Sequence, residues 1–423
     1  MQTHLADFIR DSDAGAEAEK ILRSCVHCGF CLATCPTYQL LGDELDSPRG
    51  RIFLIKQYLE SGVATAKTQL HLDRCLTCRN CETTCPSGVQ YARLLDIGRD
   101  LIERQVPRSA QATLQRYLLR RVLPNKPLFT GLTALGRAAR PMLSAKLQAK
   151  LPVAQASSAV PAPRHSRRML LLEGCVQPAL APNINVAAAR ILDRIGISLI
   201  VADKAGCCGA VSYHLNAQDE GLDYMRRNID AWWPHVEAGA EAVVMTASGC
   251  GVTVKEYGHY LRHDAAYAEK AARISVLTRD LSEIVLAEAQ AHLPPAVSPQ
   301  TGSVRVAFHA PCTLQHGQKI VGVAETLLRR AGFVVLPVAE PHLCCGSAGT
   351  YSILQAELAT QLRDRKLAHL QADAPEMIAT ANIGCLLHLQ SASATPVRHW
   401  IELLDSAYAD RASFNSARTM RCA

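Results

Sequence analysis

The sequence lacks several features that would assign it to other classes of protein. No run of about 18 apolar residues occurs in the chain, so no membrane-spanning helix is predicted. Its opening residues, 1–13, are polar and lack the charged and then apolar layout of a signal peptide. No G-x-G-x-x-G follows a predicted strand and no Walker loop is present, so the sequence shows no dinucleotide or NTP site. We therefore expect a cytoplasmic protein without a nucleotide site of its own.

Acidic residues are missing from one long segment. Between Arg104 and Leu172 there are 13 lysines and arginines and no Asp or Glu, although the whole chain carries only +7. Within this segment, apolar residues recur every four positions, at Leu114, Leu118 and Val122. Arginines lie between them, at Arg116, Arg120 and Arg121. Such a helix can lie on an anionic membrane surface, with its apolar side inward and its arginines at the headgroups. It can equally dock on an acidic partner or cover its own protein, and no nucleic-acid-binding motif accompanies the charge.

Cysteine, in contrast, is abundant, with 17 residues. Eight of them form two copies of the motif Cys-x2-Cys-x2-Cys-x3-Cys-Pro, beginning at Cys25 and at Cys75. This is the bacterial ferredoxin spacing, in which three thiolates bind one [4Fe-4S] cluster and the fourth cysteine binds the other. Zinc is the alternative, but zinc sites usually take four ligands as two separated pairs. The motifs therefore predict two [4Fe-4S] clusters and an electron-transfer protein.

The exchange of the fourth cysteine between the motifs defines two ligand sets. Cluster 1 is expected at Cys25, Cys28, Cys31 and Cys85. Cluster 2 is expected at Cys75, Cys78, Cys81 and Cys35. Because no hydride acceptor is evident in the chain, substrate oxidation is expected in another subunit.

The segment between the two motifs is predicted to form a helix. Asp46-Ser-Pro-Arg-Gly-Arg51 precedes apolar residues at helical spacing, and Ser47 can cap the helix. The 39 residues between Cys35 and Cys75 are more than a compact bacterial ferredoxin uses. Residues 1–105 are therefore expected to form a helical ferredoxin domain. In it, Arg49 and Arg51 either lie near a cluster, where they favour its reduced form, or are solvated charges at a helix start.

The second half of the chain contains an internal repeat. A strand ending near Cys175 is followed by Gly206-Cys-Cys-Gly209 and then by a strand and Cys250. The same series runs from Cys312 through Leu343-Cys-Cys-Gly346 to Cys385. Strands that alternate with helices predict two similar α/β units about a pseudo-two-fold, with the cysteines on loops at strand ends.

Each repeat supplies four cysteines to a second candidate site. The sets are Cys175, Cys207, Cys208 and Cys250 in the first repeat, and Cys312, Cys344, Cys345 and Cys385 in the second. They fit a third cluster, a zinc ion, thiol/disulfide chemistry or buried reduced cysteines without metal. His388, three residues after Cys385, is a candidate further ligand.

With both constellations in place, the chain resembles the iron-sulfur subunits of glycolate oxidase over essentially its full length. The resemblance lies in eight strings: Cys25-Val-His-Cys-Gly-Phe-Cys31, Asp46-Ser-Pro-Arg-Gly-Arg51, Cys75-Leu-Thr-Cys-Arg-Asn-Cys81, His214-Leu-Asn216, Trp232-Trp233, Thr246-Ala-Ser-Gly-Cys250, Leu343-Cys-Cys-Gly-Ser-Ala-Gly-Thr350 and Val397-Arg-His-Trp400. The ferredoxin motifs are shared with the iron-sulfur subunits of lactate-utilisation and anaerobic glycerol-3-phosphate dehydrogenase systems, which are the alternative.

The resemblance implies a role as one subunit of an oxidoreductase complex. Its partners would be flavoprotein subunits that oxidise glycolate to glyoxylate, and electrons would pass through this chain toward membrane quinone. The implied location is peripheral, on the inner face of the bacterial inner membrane. No catalytic residue of this chain is implied.

The repeat is similar to the cysteine-rich CCG domain of heterodisulfide reductases. That wider family ends each repeat in Cys-x-x-Cys, whereas this chain has Cys250-Gly-Val-Thr253 and Cys385-Leu-Leu-His388. A CCG-type reductase of a disulfide or of the acceptor is therefore a further alternative, weakened by this departure.

The predicted fold class is α+β with several domains. We expect a helical ferredoxin domain over 1–105, a basic helical segment with a linker at 106–165, and two α/β CCG repeats at 166–296 and 297–423.

Overall fold

The computed structural model describes residues 1–142, 148, 153–155, 159–293, 295 and 304–419, with the backbone alone from 410 onward. Parts of the predicted basic segment and linker at 106–165, the start of the second repeat at 297–303 and the end of the chain after 419 lie outside the described residues. Helices and strands are numbered below in chain order over the described part.

The N-terminal region is built from helices, as predicted. Its helices are α1 (Asp7–Arg10), α2 (Asp13–Ser24), α3 (Phe30–Ala33), α4 (Pro36–Leu41), α5 (Pro48–Ser61), α6 (Ala66–Asp73), α7 (Asn80–Thr84) and α8 (Tyr91–Gln105). The predicted cap of α5 is confirmed, since the Ser47 side chain accepts a hydrogen bond from Gly50 N. Helix α5 buries Ile52, Ile55 and Leu59, and α2, α5 and α8 enclose one apolar core.

Two further helices follow in the basic segment, α9 (Ala110–Val122) and α10 (Lys126–Ala138). Ser109 caps α9 by accepting from Ala112 N, and Asn125 caps α10 by accepting from Leu128 N. Helix α9 buries none of its residues and α10 buries only Thr133. The two helices therefore form a hairpin on the surface of the protein.

The first repeat is an α/β unit. Its elements are β1 (Arg167–Leu172), α11 (Gln177–Leu180), α12 (Asn183–Arg194), β2 (Ile197–Ile200), α13 (Ala210–His214), α14 (Gln218–Glu237), β3 (Val243–Met245), α15 (Ser248–Lys255), α16 (Tyr257–Tyr260), α17 (Ala268–Leu277), β4 (Thr278–Asp280) and α18 (Leu281–His292). Its parallel sheet has the order β2-β1-β3-β4.

The second repeat follows the same plan. Its elements are β5 (Arg305–His309), a π-helical turn at Thr313–Gly317, α19 (Val323–Arg330), β6 (Val334–Leu336), α20 (Tyr351–Leu354), α21 (Ala356–Gln371), β7 (Met377–Thr380), α22 (Ile383–Gln390), β8 (Val397–His399) and α23 (Trp400–Thr419). Its sheet has the order β6-β5-β7-β8, so each strand takes the place of its counterpart in the first repeat, β2-β1-β3-β4. The predicted pair of similar α/β units is confirmed.

The two repeats pack reciprocally. Helix α12 of the first repeat packs on α23 of the second, and α19 of the second packs on α18 of the first. Each contact is tied by arginine: Arg194 Nη1 donates to the Tyr408 carbonyl oxygen at 2.9 Å, and Arg330 Nε donates to the Leu293 carbonyl oxygen at 2.9 Å. Apolar residues of both repeats share one core. This exchange of equivalent helices is the pseudo-two-fold expected from the repeat.

The helical domain is joined to the repeats by polar contacts. The Arg79 guanidinium makes two hydrogen bonds with the Glu256 carboxylate, at 2.6 and 2.7 Å. Asn80 Nδ2 donates to the His342 carbonyl oxygen, and the Tyr351 hydroxyl donates to the Arg74 carbonyl oxygen. These contacts hold the second ferredoxin motif against the repeats.

The glycine after each vicinal cysteine pair is required by its surroundings. Gly346 has φ 86°, and a Cβ there would lie 2.5 Å from the Ala359 carbonyl oxygen. Gly209 repeats this at φ 90°, with the Gly221 carbonyl oxygen 2.6 Å away. A close approach of helix and loop therefore fixes both Cys-Cys turns.

We expect Gly346→Ala to lower the free energy of unfolding by about 3 kcal/mol, because it adds a steric overlap to the cost of a left-handed backbone. Gly349→Ala is the control, since Gly349 also has positive φ but nothing lies within 4 Å of its Cβ position; it should cost about 1 kcal/mol. Urea unfolding followed by circular dichroism measures both. Equal shifts in the two variants would contradict the role given to the close approach.

Candidate metal centres

The first cavity of the helical domain is lined by thiols from both ferredoxin motifs. Cys25, Cys28 and Cys31 of the first motif and Cys85 of the second surround a space of about 440 Å³, including its mouth to solvent. Cys25 is buried, whereas Cys28 is exposed. These are the four residues that the sequence assigned to cluster 1.

A second cavity, of about 300 Å³, lies beside the first. Its thiols are those of Cys75, Cys78 and Cys81 from the second motif and Cys35 from the first, which is the set assigned to cluster 2. Pro48, Cys81 and Tyr91 line both cavities. The two spaces are therefore neighbours, separated by single side chains.

Both motifs reach this arrangement through the same backbone turn. Positive φ angles occur at His27 and Gly29 in the first motif and at Thr77 and Arg79 in the second. A short helix then begins in each case, α3 with Cys31 and α7 with Cys81. Left-handed backbone at residues other than glycine is strained, and such strain is concentrated at functional sites. The turn brings three thiols of each motif to the wall of one cavity.

Burial favours the protonated form of several of these thiols. Burial raises the pKa of Cys31 to about 11, and burial also raises the pKa of Cys78 and Cys81 well above the ordinary value. A cluster would displace these protons, since thiolate is the metal-binding form. The backbone N–H of Thr77 and the hydroxyl of Tyr91 both donate to Cys75 Sγ, at 3.4 and 3.5 Å. Hydrogen bonds to ligand sulfur are typical of iron-sulfur sites and tune their potentials, so the residues present fit the expected group.

A buried ion pair lies behind the second cavity. Arg51 and Asp46 are both fully buried and 3.3 Å apart, and Arg74 pairs with the same carboxylate at 2.8 Å. Burial opposes the charge of Arg51, but the nearby thiols of Cys75 and Cys35 and the Asp46 carboxylate outweigh it and raise its pKa. Arg51 lines the second cavity and Arg49 the first. Both arginines therefore lie near the predicted cluster sites, which was the first of the two interpretations drawn from the sequence.

In the first CCG repeat, the four thiols form a row. Cys175 follows β1, and the thiol of Cys207 lies within hydrogen-bonding reach of Cys175 and Cys208. Cys208 in turn reaches Cys250 on α15. Shared hydrogen bonds with Cys207 and Cys250 lower the pKa of Cys208.

The second repeat has the same row, through Cys312, Cys344, Cys345 and Cys385. All four are buried. The N–H of Gly346 donates to Cys344 Sγ at 3.4 Å, as Gly209 does to Cys207 Sγ at 3.5 Å. Each set of four predicted cysteines is thus brought together by its repeat.

The histidine near the second set is one that the sequence analysis did not select. His309, at the end of β5, has a ring nitrogen within 4.8 Å of the thiol sulfurs of both Cys345 and Cys385. His388 Nε2 lies 3.1 Å from the Ala359 carbonyl oxygen instead, and His388 does not belong to that group. The missed signal was a histidine three residues before the first cysteine of the repeat.

The cysteines of the second repeat lie next to the second cavity. Leu76, Cys312, Cys344 and Tyr351 belong to one apolar cluster, on which Cys78 packs. Burial first, and then the charge of Cys312, raise the pKa of Cys78. The second cavity therefore lies between the first cavity and the thiols of the second repeat.

Comparison with known proteins shows which families contain these domains. The 4Fe-4S dicluster domain matches residues 21–89, and the cysteine-rich domain matches 169–255 and 306–390. The glycolate oxidase iron-sulfur subunit of Escherichia coli K12 is 58% identical over 409 residues, covering 96% of this chain and 99% of that protein. The chain belongs to the glycolate oxidase iron-sulfur subunit family. The resemblance drawn from the sequence is confirmed.

The more distant relatives differ in how much of this chain they match. A probable glycolate oxidase iron-sulfur subunit of Bacillus subtilis 168 is 29% identical over 87% of this chain and 88% of its own length. Lactate utilization protein A of Bacillus licheniformis is 27% identical over 55% of this chain and 96% of its own length. Proteins of the glycolate oxidase iron-sulfur subunit family thus match nearly the whole chain, whereas the lactate protein matches about half of it.

Two apolar surfaces of this family member are exposed. Val26 and Phe30, which line the first cavity, are 68% and 61% exposed, beside the exposed Cys28. On the α9–α10 hairpin, six large apolar side chains are between 42% and 67% exposed: Leu114, Tyr117, Leu118, Leu128, Leu132 and Leu135. Contiguous exposed apolar surface marks sites of interaction.

Two arginines of the hairpin form ion pairs with acidic residues of the same chain. Arg116 lies 3.3 Å from Asp73, and Arg120 lies 3.3 Å from Glu220. Arg121 is exposed and stacks over the Tyr117 ring. Over the residues described, no helix has the length and apolar character needed to cross a membrane. The hairpin therefore offers mainly apolar side chains, and fewer free charges than the sequence indicated.

Proposed function

We propose that the chain is the iron-sulfur electron-transfer subunit of a glycolate oxidase complex. Glycolate would be oxidised to glyoxylate in a flavoprotein partner, and the electrons would pass singly through this chain toward membrane quinone. The observation that carries the proposal is the pair of neighbouring cavities, of which the first is lined by all four thiols of the first set and the second by all four thiols of the second set, with Cys81 lining both. The full-length relationship to a glycolate oxidase subunit favours glycolate over lactate, whose relative matches about half of the chain.

The ligand sets follow the exchange of the fourth cysteine. Cluster 1 would be held by Cys25, Cys28, Cys31 and Cys85, and cluster 2 by Cys75, Cys78, Cys81 and Cys35. Each set supports this assignment by lining one cavity. When bound, the clusters supply one-electron carriers.

The exposure of the cavities supports an order for the path. The first cavity opens to solvent beside exposed Cys28, Val26 and Phe30. The second lies against the repeats. Its lining residue Arg79 pairs with Glu256, and its lining residues Leu76 and Cys78 pack with Cys312, Cys344 and Tyr351. Cluster 1 is therefore proposed as the point of electron exchange with a partner, and cluster 2 as the inner carrier.

Charge near the carriers favours electron acceptance. The buried Arg51 guanidinium lines the second cavity, and Arg49 lines the first. A fixed positive charge stabilises the more negative, reduced state of a cluster, most strongly where water is excluded. Arg51 and Arg74 share the single carboxylate of Asp46, so a net positive charge remains beside the second cavity and supports a relatively high potential for a cluster there. Arg49 is paired with Glu44 and contributes less.

The number and ligands of the clusters are tested by analysis of anaerobically purified protein. About eight irons and eight sulfides per chain are expected from two cubanes. Cys28→Ser and Cys85→Ser should perturb the same electron paramagnetic resonance signal, because both ligands serve cluster 1. Cys35→Ser should instead perturb the signal that Cys78→Ser perturbs.

Cys422→Ser is the control, since Cys422 belongs to neither set and lies outside the described residues. It should leave iron content and spectra unchanged. A Cys85→Ser spectrum that matches Cys78→Ser would exclude the exchange of the fourth cysteine. An iron content near half the expected value would remove one cluster from the proposal.

The α9–α10 hairpin is proposed to bring the complex to the inner face of the membrane. Its exposed leucines suit burial at the boundary between headgroups and acyl chains, as in helices that lie on a bilayer. Arg121 and other exposed cations would add attraction to anionic lipid. The two arginines held by Asp73 and Glu220 would contribute little.

We expect Leu118→Asp with Leu132→Asp to lower the membrane-bound fraction of the complex at least about tenfold, because each leucine contributes roughly 1.5–3 kcal/mol when buried. The matched control is Gln115→Asp with Thr130→Asp, which adds the same charge at other exposed positions of the two helices. Co-sedimentation with vesicles that contain anionic lipid measures binding. If both double variants sediment alike, the hairpin is not the membrane contact.

A further inference from the structure

One cluster of ligand side chains lies apart from the two ferredoxin cavities, inside the second CCG repeat. We propose that this repeat holds one divalent ion of the zinc type, bound by the imidazole of His309 and the thiolates of Cys345 and Cys385. The inference goes beyond the electron-transfer function, which needs only the two clusters.

The spacing of the three groups suits a single ion. One ligand atom from each of His309, Cys345 and Cys385 lies within 4.8 Å of the other two. Around a tetrahedral zinc ion with Zn–S of about 2.3 Å and Zn–N of about 2.0–2.1 Å, ligand atoms are roughly 3.5–3.8 Å apart. A small inward movement of side chains therefore completes the coordination.

The ferredoxin thiols provide the contrast within the same molecule. Among the described residues, neither of their sets contains three sulfurs within 4.8 Å of one another. Thiolates spread around a cluster bind different irons and lie farther apart than ligands of one ion. The tight group in the second repeat thus differs in kind from the two cluster cavities.

The imidazole of His309 has no other use in the fold. It is 1% exposed, and neither ring nitrogen has a hydrogen-bond partner among the described residues. A buried polar group without a partner costs free energy, and native proteins rarely leave one unexplained. A metal ion at this point would satisfy the nitrogen that faces the thiols.

The first repeat shows what the same fold looks like without the histidine. Leu172 ends β1 three residues before Cys175, as His309 ends β5 three residues before Cys312. The structure thus contains two cysteine rows of one design, and among the described residues only the second has a histidine nitrogen grouped with its thiols. One ion per chain is expected.

A buried cation supports the charge of the second site. Lys366 is 2% exposed, and its Nζ donates to the Glu340 carbonyl oxygen at 2.7 Å. Burial lowers the pKa of Lys366, and the thiols of Cys312, Cys345 and Cys344 make the largest electrostatic contributions that oppose this shift. Zinc with two thiolates is neutral, and a third thiolate at the fourth position would leave one negative charge, which the Lys366 ammonium offsets. The corresponding contact in the first repeat is made by the neutral Asn228, which donates to the Cys207 carbonyl oxygen.

The test measures metal content and coordination in the full-length chain, purified anaerobically. We expect about one zinc per chain, and an X-ray absorption spectrum at the zinc edge with one nitrogen at about 2.0–2.1 Å and sulfur at about 2.3 Å. His309→Leu, which copies the first repeat, should reduce zinc at least fivefold. His388→Leu is the matched control and should retain the ion.

A second variant keeps the test decisive where His309→Leu does not fold. His309→Cys supplies another zinc ligand, so it should keep the ion while the nitrogen contribution to the spectrum is replaced by sulfur. Zinc content and nitrogen contribution that are unchanged in His309→Cys would overturn the proposal. So would iron in place of zinc at this site, seen as about four irons beyond the eight of two cubanes.

The outcome is separable from that of the proposed function. Eight irons with no zinc would overturn this inference and leave the electron-transfer role standing. Zinc as expected but without iron in the ferredoxin motifs would support this site and overturn that role.

Discussion

The arrangement of the two cavities depends on the buried guanidinium of Arg51. Its Nε donates to the His71 carbonyl oxygen at 2.7 Å, four residues before Cys75, and its Nη2 donates to Thr37 Oγ1 at 3.1 Å, two residues after Cys35. One side chain thus ties the end of the first motif to the start of the second. Asp46 neutralises it without water, and breaking such a pair typically costs about 3–5 kcal/mol because a charge is left buried. Cys35 can enter the cavity of the second motif because this contact holds the two segments together.

The CCG repeats pack against the second cavity, and the second repeat carries the proposed zinc site. Their reciprocal packing through α12 and α23, and through α18 and α19, makes one rigid core. Cys312, Cys344 and Tyr351 of the second repeat pack against the inner cavity at Leu76 and Cys78, whereas the first repeat reaches that cavity through the ion pair of Glu256 with Arg79. The asymmetry of position is matched by an asymmetry of chemistry, since His309 and Lys366 occur on the side near the clusters. The two halves of the duplicated fold therefore differ in the side chains that accompany their cysteines.

Sequence was informative where a short spacing determines the structure. The motif Cys-x2-Cys-x2-Cys-x3-Cys-Pro predicted which thiols would share a cavity, and the 32 residues from Cys175 to Cys207 and from Cys312 to Cys344 predicted the repeat. Ser47 was recognised as a cap because capping is local.

The features that sequence did not reveal depend on residues distant in the chain. His309 lies in a strand and meets Cys345 and Cys385 only through the fold of the repeat. Arg116 and Arg120 appeared to be free charges because their partners, Asp73 and Glu220, lie 43 and 100 positions away. The exposure of the hairpin leucines likewise follows from those ion pairs, which turn the polar side of the helix toward the protein.

The central claim is that two clusters occupy neighbouring cavities and form one path for electrons. A stepwise anaerobic redox titration of the full-length protein, followed by low-temperature electron paramagnetic resonance, tests it directly. When one cluster is reduced, a simple signal should appear; when both are reduced, magnetic coupling between adjacent paramagnets should broaden and split it, since dipolar coupling falls steeply with distance. A fully reduced spectrum that is the sum of two independent signals, or that shows one cluster only, would contradict the account.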